Sequence, residues 1–234
     1  MVRPGKYFYD LHIHTSRHSA CSEIAPEMAV AAARQRGLHG IALTEHSYVW
    51  SPKEVEELKA SAGCGSFPVL AGCEISTEWD GRRTGDLLVF GATEMPEGSC
   101  AIDEVCRIVH RQGGIVIAAH PRAKIGGMID EIHSAMIDGV EVANYRYRNP
   151  DDTRRLEAMC SEMDLAAIAS SDAHSVEEIG QFCVLFEEMI YTERDLVKVI
   201  REGICRPYPK PPPRGLRRFM RDRFKQKPGT GTTR

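Results

Sequence analysis

Histidines and carboxylates gather in four short fragments of this chain: Asp10-Leu11-His12-Ile13-His14-Thr15, Thr44-Glu45-His46, Ala119-His120-Pro121 and Ser170-Ser171-Asp172-Ala173-His174. Imidazoles and carboxylates are the usual ligands of divalent transition metals. Each fragment follows an apolar, β-branched run of the kind that forms a strand. Alternate side chains of an extended strand share a face, so His12 and His14 point the same way and can grip one cation. Asp10 shares that face and can orient an imidazole. Metal-binding side chains repeated at strand ends imply a multinuclear metal site.

The elements that must position these groups alternate. Strands are expected at Tyr7–Ile13, Gly40–Thr44, Pro68–Gly72, Leu87–Phe90, Ile115–Ala119, Gly139–Val142, Leu165–Ala169 and Cys183–Phe186. Helices are expected at Glu27–Arg36, Glu54–Ala60, Ile102–Gln112, Asp152–Met163 and Thr192–Glu202, the last opened by a Thr192/Asp195 capping box. Repeated strand-helix units favour a parallel sheet covered by helices and closed into a barrel. Such a barrel carries its active site at the C-terminal ends of the strands, where all four fragments fall. Asp80-Gly81 signals a turn, so Ile75–Trp79 and Leu87–Phe90 are expected to form a hairpin that interrupts the pattern.

The 234 residues, 42% hydrophobic, suit one large domain. No apolar run approaches the ~20 residues that cross a bilayer, and the opening Met1-Val2-Arg3-Pro4-Gly5 lacks the apolar stretch of a secretory signal. A cytoplasmic location is expected. No two of the eight cysteines show C-x-x-C spacing, so reduced, buried thiols are expected rather than disulfides or structural zinc. The net charge of −3 is uneven: ten Lys/Arg against Asp222 alone give residues 206–234 a net +9 and leave −12 on the rest.

In this order and spacing, the four fragments resemble the PHP family, the polymerase and histidinol phosphatase superfamily of metal-dependent phosphoesterases, over roughly residues 7–205. Its first motif, Asp-Leu-His-x-His-Ser/Thr, is matched by Asp10–Thr15; its second by Thr44–His46; its third by His120; its fourth, Ser-Asp-x-His, by Ser171–His174. The resemblance implies a distorted (β/α)7 barrel of α/β class with two to three divalent metal ions, Zn, Mn or Fe. It implies that His12, His14 and Asp172 hold one ion, that Glu74 bridges it to a second held by His120, and that His46 and His174 serve a third. Asp86 stands where many members carry a histidine ligand, and is either a ligand or a turn-stabilising aspartate. His18 stands at the distance of a further third-ion ligand, and is either that or a surface loop histidine. Asn144 resembles the family's pocket-lining asparagine.

Phosphate recognition also needs cations. Arg122, directly after His120-Pro121, is placed to fork onto a phosphate, with Arg17 a weaker choice. Arg146 and Arg148 read as solvated, and His39, His110 and His133 as bystanders in or beside helices. The implied chemistry is phosphoester hydrolysis by a water bridging two ions. His174 or His46, where not committed to a third ion, would protonate the leaving group, so His174, His46 and Asp172 form the expected catalytic set. The expected substrate is a small phosphomonoester or nucleotide. The alternative is a 3′-to-5′ exonuclease or oligonucleotide phosphodiesterase, and a non-catalytic scaffold ranks below both. Nucleic acid as a partner is possible but not favoured, because an acidic body poor in aromatics suits it badly; oligomeric state is open. Residues 1–205 are expected to form the phosphoesterase domain. Residues 206–234 would form a Pro-rich linker and basic tail, with Leu216, Phe219, Met220 and Phe224 at helical spacing.

Overall fold

The computed structural model describes residues 6–96, 98, 100–121, 136–145 and 149–208. Its elements are β1 (Tyr7–Ile13), α1 (Pro26–Gln35), β2 (Gly40–His46), α2 (Pro52–Ser61), β3 (Val69–Trp79), β4 (Arg82–Phe90), α3 (Ile102–Arg111), β5 (Ile115–Ala119), β6 (Gly139–Asn144), α4 (Pro150–Met163), β7 (Ala166–Ser170), β8 (Cys183–Phe186), α5 (Glu193–Arg201) and β9 (Cys205–Tyr208). The strands form one sheet in the order β7-β6-β5-β4-β3-β2-β1-β8-β9. Its two edges approach one another: Cys205 Sγ on β9 lies 3.8 Å from the Ala167 carbonyl on β7, and Ile13 at the end of β1 bridges Ala173 just past β7. The sheet is nearly closed, like a barrel.

The parallel pattern is broken in two places. β4 runs antiparallel to both β3 and β5, and β8 antiparallel to both β1 and β9. The first break has a local cause. Asp80 and Gly81 both take positive φ, 50° and 72°, which is the two-residue turn that matches strand twist and returns the chain at once. A parallel return would need a crossover of a dozen or more residues. β3 is also one strand of 11 residues rather than two short ones, because Cys73 and Glu74 carry the extended backbone straight through.

Helix starts follow cap chemistry. Ser51 and Glu54 form a full capping box ahead of Pro52, and Thr192 does the same with Asp195. α2 therefore starts before the expected Glu54. A central hydrophobic cluster joins residues of β1, β2, β3, β4, β5, β7 and β8, among them Leu11, Leu88, Phe90, Ile117 and Ile168, with Leu196 and Val199 of α5. Two flanking clusters pack α1 and α2, or α3 and α4, onto the sheet. No helix among the described residues is long and apolar enough to cross a membrane.

β9 continues the sheet through Tyr208, past the expected limit at residue 205. Pro207 hides it from a propensity reading, yet an edge strand tolerates proline because its N–H side needs no partner. The expected linker from Pro209 and the basic segment after it lie outside the described residues.

Candidate metal centre

Strand register collects the four fragments. His46 pairs with Glu74 across β2 and β3, Ser76 with Asp86 across β3 and β4, and Asp86 with Ala119 across β4 and β5, so Asp86 lies next to His120. The end of β1 is tied to the loop after β7: His14 N donates to the Ala173 carbonyl at 3.0 Å and Ala173 N to the His12 carbonyl at 3.2 Å. That lattice sets Asp172 beside both histidines. His120 and Asp172 have left-handed backbones, φ 28° and 52°, a conformation that costs a non-glycine residue ~1–3 kcal/mol and concentrates at functional sites.

The side chains converge. His12 Nε2 and His14 Nε2 are 3.1 Å apart, and Asp172 Oδ1 is 3.4 Å from each. Glu74 sits at the centre: Oε1 lies 3.5 Å from His12 Nε2 and 2.9 Å from His120 Nε2, while Oε2 lies 3.2 Å from His14 Nε2 and 3.0 Å from His46 Nδ1. Ligand atoms within 4.8 Å of one another form the groups His12/His14/Glu74, His12/His120/Asp172, Glu74/Asp86/His120 and His14/His46/His174. Two observations fit these residues to divalent ions. The Nε2 atoms of His12 and His14 each face oxygens of Glu74 and Asp172 at 3.2–3.5 Å, a convergence of donors that suits a cation. His120 Nδ1 is also buried with no hydrogen-bond partner among the described residues.

The electrostatics agree. Burial disfavours a charged imidazole at His12, but Asp172, Glu141 and Glu74 outweigh it and hold the pKa well above the ordinary histidine value. His14 and His120 are raised as well, against burial, by the hydrogen bonds that His14 donates to Asp172 and Glu74 and that His120 donates to Glu74. Burial would raise Glu74, but His12 with the neighbouring imidazoles drives it well below the carboxylate range, and Asp172 is likewise lowered. Without metal, then, the carboxylates favour protons on His12, His14 and His120. Ligation needs neutral imidazole, so metal uptake near neutral pH is expected to release protons, and affinity to rise with pH through the raised histidine pKa values. Calorimetric titration of the metal-free protein in two buffers of different ionisation enthalpy checks this; no net proton release would contradict it.

A second layer of carboxylates supports the ring nitrogens from behind. His12 Nδ1 lies 3.0 Å from Glu141 Oε1. His14 Nδ1 lies 3.4 Å from Ser19 Oγ, which donates to Glu45 Oε2 at 2.6 Å. Glu45 also accepts from Thr15 N and Trp50 Nε1, each at 3.0 Å. Asp10 has a different role from the one expected, since its carboxylate accepts from Ser171 N and Oγ and from Gly180 N rather than from an imidazole. It fastens the Asp172 loop to β1.

Of the residues singled out by sequence, the structure brings together His12, His14, His46, Glu74, Asp86, His120, Asp172 and His174. Asn144 ends β6 and donates to Glu141 at 2.9 Å. His18 is not brought in: it stacks on Tyr48 at 3.8 Å, with Nε2 3.1 Å from Glu54. Arg17 accompanies it, its guanidinium over Trp50. Arg122, Arg146 and Arg148 lie outside the described residues. Sequence reading missed Glu141, Glu45, Ser19 and Arg83, whose guanidinium binds both oxygens of Asp86. Glu141 had a signal: it is a charge inside an otherwise apolar strand. Burial pushes the Cys73 thiol to about 12, so no thiolate nucleophile is available there.

Comparison with known proteins places this arrangement. Residues 150–205 match the family model described as PHP-associated. An uncharacterised protein of Methanocaldococcus jannaschii is 29% identical over 151 residues, covering 60% of this chain and 83% of that protein. Among solved structures, a protein from Bifidobacterium adolescentis assigned as a metal-dependent phosphoesterase superposes with a TM-score of 0.58 at 19% identity, over 73% of this chain and 89% of that one. A lesion-specific endonuclease from Pyrococcus furiosus superposes with a TM-score of 0.62 at 16% identity, over 85% of this chain and 56% of that one. The chain thus shares the fold of these solved structures, with its four histidine and carboxylate fragments gathered at one end of a nearly closed sheet, and its residues 150–205 match the PHP-associated family model.

Proposed function

We propose that this protein is a metal-dependent phosphoester hydrolase built on a distorted (β/α)7 barrel, acting on a small phosphomonoester or nucleotide. The observation that carries this reading is Glu74. A buried carboxylate touching His12, His14, His46 and His120 at 2.9–3.5 Å suits a bridge between ions better than any pairwise salt link. His12, His14 and Asp172 would hold one ion, His120 and Asp86 a second shared through Glu74, and His46 and His174 a third. Imidazole and carboxylate donors suit Zn²⁺, Mn²⁺ or Fe²⁺. When bound, such ions acidify water and neutralise charge on a phosphoryl group.

The chain's own residues do the rest. Asp172 orients His12 and His14 and balances their charge. His46 is 42% exposed at its side chain, and where a third ion does not take up both His46 and His174, the one left free would deliver the proton to the departing oxygen. Asn144 and Arg122 serve the substrate phosphate. The P. furiosus endonuclease fold and the +9 of residues 206–234 favour a second reading, hydrolysis of oligonucleotides. Turnover of p-nitrophenyl phosphate beside its bis-ester separates the two, and monoester preference is expected. Deleting residues 210–234 is expected to leave monoester turnover nearly unchanged and to weaken salt-dependent oligonucleotide binding. Loss of monoester turnover on truncation would place that segment in the catalytic unit, and unchanged oligonucleotide binding would remove the main support for the second reading.

A further inference from the structure

Glu141 lies outside the ligand set, yet its neighbours belong to it. The carboxylate is fully buried on β6, among Gly139, Val140, Val142 and Ala143. Oε1 accepts from His12 Nδ1 at 3.0 Å and from the Ser170 hydroxyl, and Oε2 accepts from His120 N at 2.7 Å and from Asn144 Nδ2 at 2.9 Å. A buried carboxylate is costly unless its oxygens are fully partnered. Here each oxygen has at least two donors.

We propose that Glu141 is the positioning residue that makes His12 and His120 a matched pair of metal ligands. The inference rests on the metal-centre reading above. Its first part is the tautomer. A carboxylate at Nδ1 keeps the proton there and leaves the Nε2 lone pair, which points at His14, Glu74 and Asp172, for a cation. Its second part is the backbone of His120. That residue stands at φ 28°, a conformation that persists only where the surroundings enforce it, and its N–H has the 2.7 Å bond to Glu141. One side chain therefore fixes the ring of one ligand and the main chain of another across the sheet, and both ligands meet on Glu74 Oε1. His14 is braced less directly, through Ser19 at 3.4 Å and then Glu45. Loss of Glu141 should consequently act on ions held by His12 and His120 more than on one held by His14, His46 and His174.

The test is Mn²⁺ titration of metal-free wild type, Glu141→Gln and Ser170→Ala, each referred to its folded fraction, with the imidazole nitrogen NMR signals of wild type loaded with diamagnetic Zn²⁺. Glu141→Gln is expected to weaken Mn²⁺ binding by about 10–100-fold, while Ser170→Ala binds almost normally. His12 is expected to carry its proton on Nδ1. Equal Mn²⁺ affinity in wild type and Glu141→Gln, equal losses in Glu141→Gln and Ser170→Ala, or an unprotonated His12 Nδ1 would each overturn the proposal. The NMR result stands even if a variant fails to fold. Wild type that binds no ion would overturn the metal centre itself, and so is distinct from a wild type and variant that bind alike.

Discussion

Glu74→Gln is expected to lower phosphoester turnover by about a thousandfold or more. The neutral amide keeps the size of the side chain but removes the charge that four imidazoles share, at 2.9–3.5 Å. Ions repel one another less when an anion lies between them, so losing it weakens two positions at once. An ion contributes several kcal/mol of charge stabilisation in the transition state, and each ~1.4 kcal/mol is tenfold in rate. Asp86→Asn should cost less, because among the described imidazoles Asp86 reaches only His120, at 4.0 Å. His18→Ala should stay close to wild type, since His18 partners Glu54 and Tyr48 instead. Steady-state kinetics on one phosphomonoester, with metal content measured for each variant, checks the ranking. Equal losses from all three changes would show that Glu74 is not the bridge.

Chelation is expected to lower the melting temperature by about 10 °C. An ion that binds only the folded chain stabilises it by ~4 kcal/mol at a thousand times its dissociation constant, and a chain of this size shifts by ~2–4 °C per kcal/mol. The stripped site must hold buried Glu74 and Asp172 against each other, with protons on the neighbouring histidines as counterions. That substitution weakens as pH rises through the raised histidine pKa values, so the loss on chelation should grow from mildly acidic to alkaline pH. Scanning calorimetry with and without chelator, then with Mn²⁺ restored, reads it. An unchanged melting temperature at every pH would contradict a site that stabilises through metal.

The legible part of this protein was the part written in local chemistry. His12 and His14 share a face because a strand alternates, and His46, His120 and Asp172 stand out because each closes an apolar run. Asp80-Gly81 announced the hairpin through the one backbone conformation those residues favour. What could not be read depends on contacts distant in sequence. Glu141 acquires its role only when β6 lies near β1, 129 residues away in the chain, and Glu45 only when Ser19 and Trp50 fold over it. The antiparallel placement of β8 rests on pairing with β1, which no spacing rule specifies. His18 shows the converse: its distance from His14 fits a ligand, but Tyr48 and Glu54 draw its ring elsewhere. Asp10 likewise shares a strand face with His12, yet Ser171 and Gly180 take up its carboxylate.

The most direct test is elemental analysis of protein purified without chelator, run beside phosphomonoester turnover on the same sample. At least two equivalents of a transition metal per chain are expected, with activity that disappears on chelation and returns with Mn²⁺ or Zn²⁺. Fewer than one equivalent, with no activity regained on adding either ion, would contradict a multinuclear metal hydrolase.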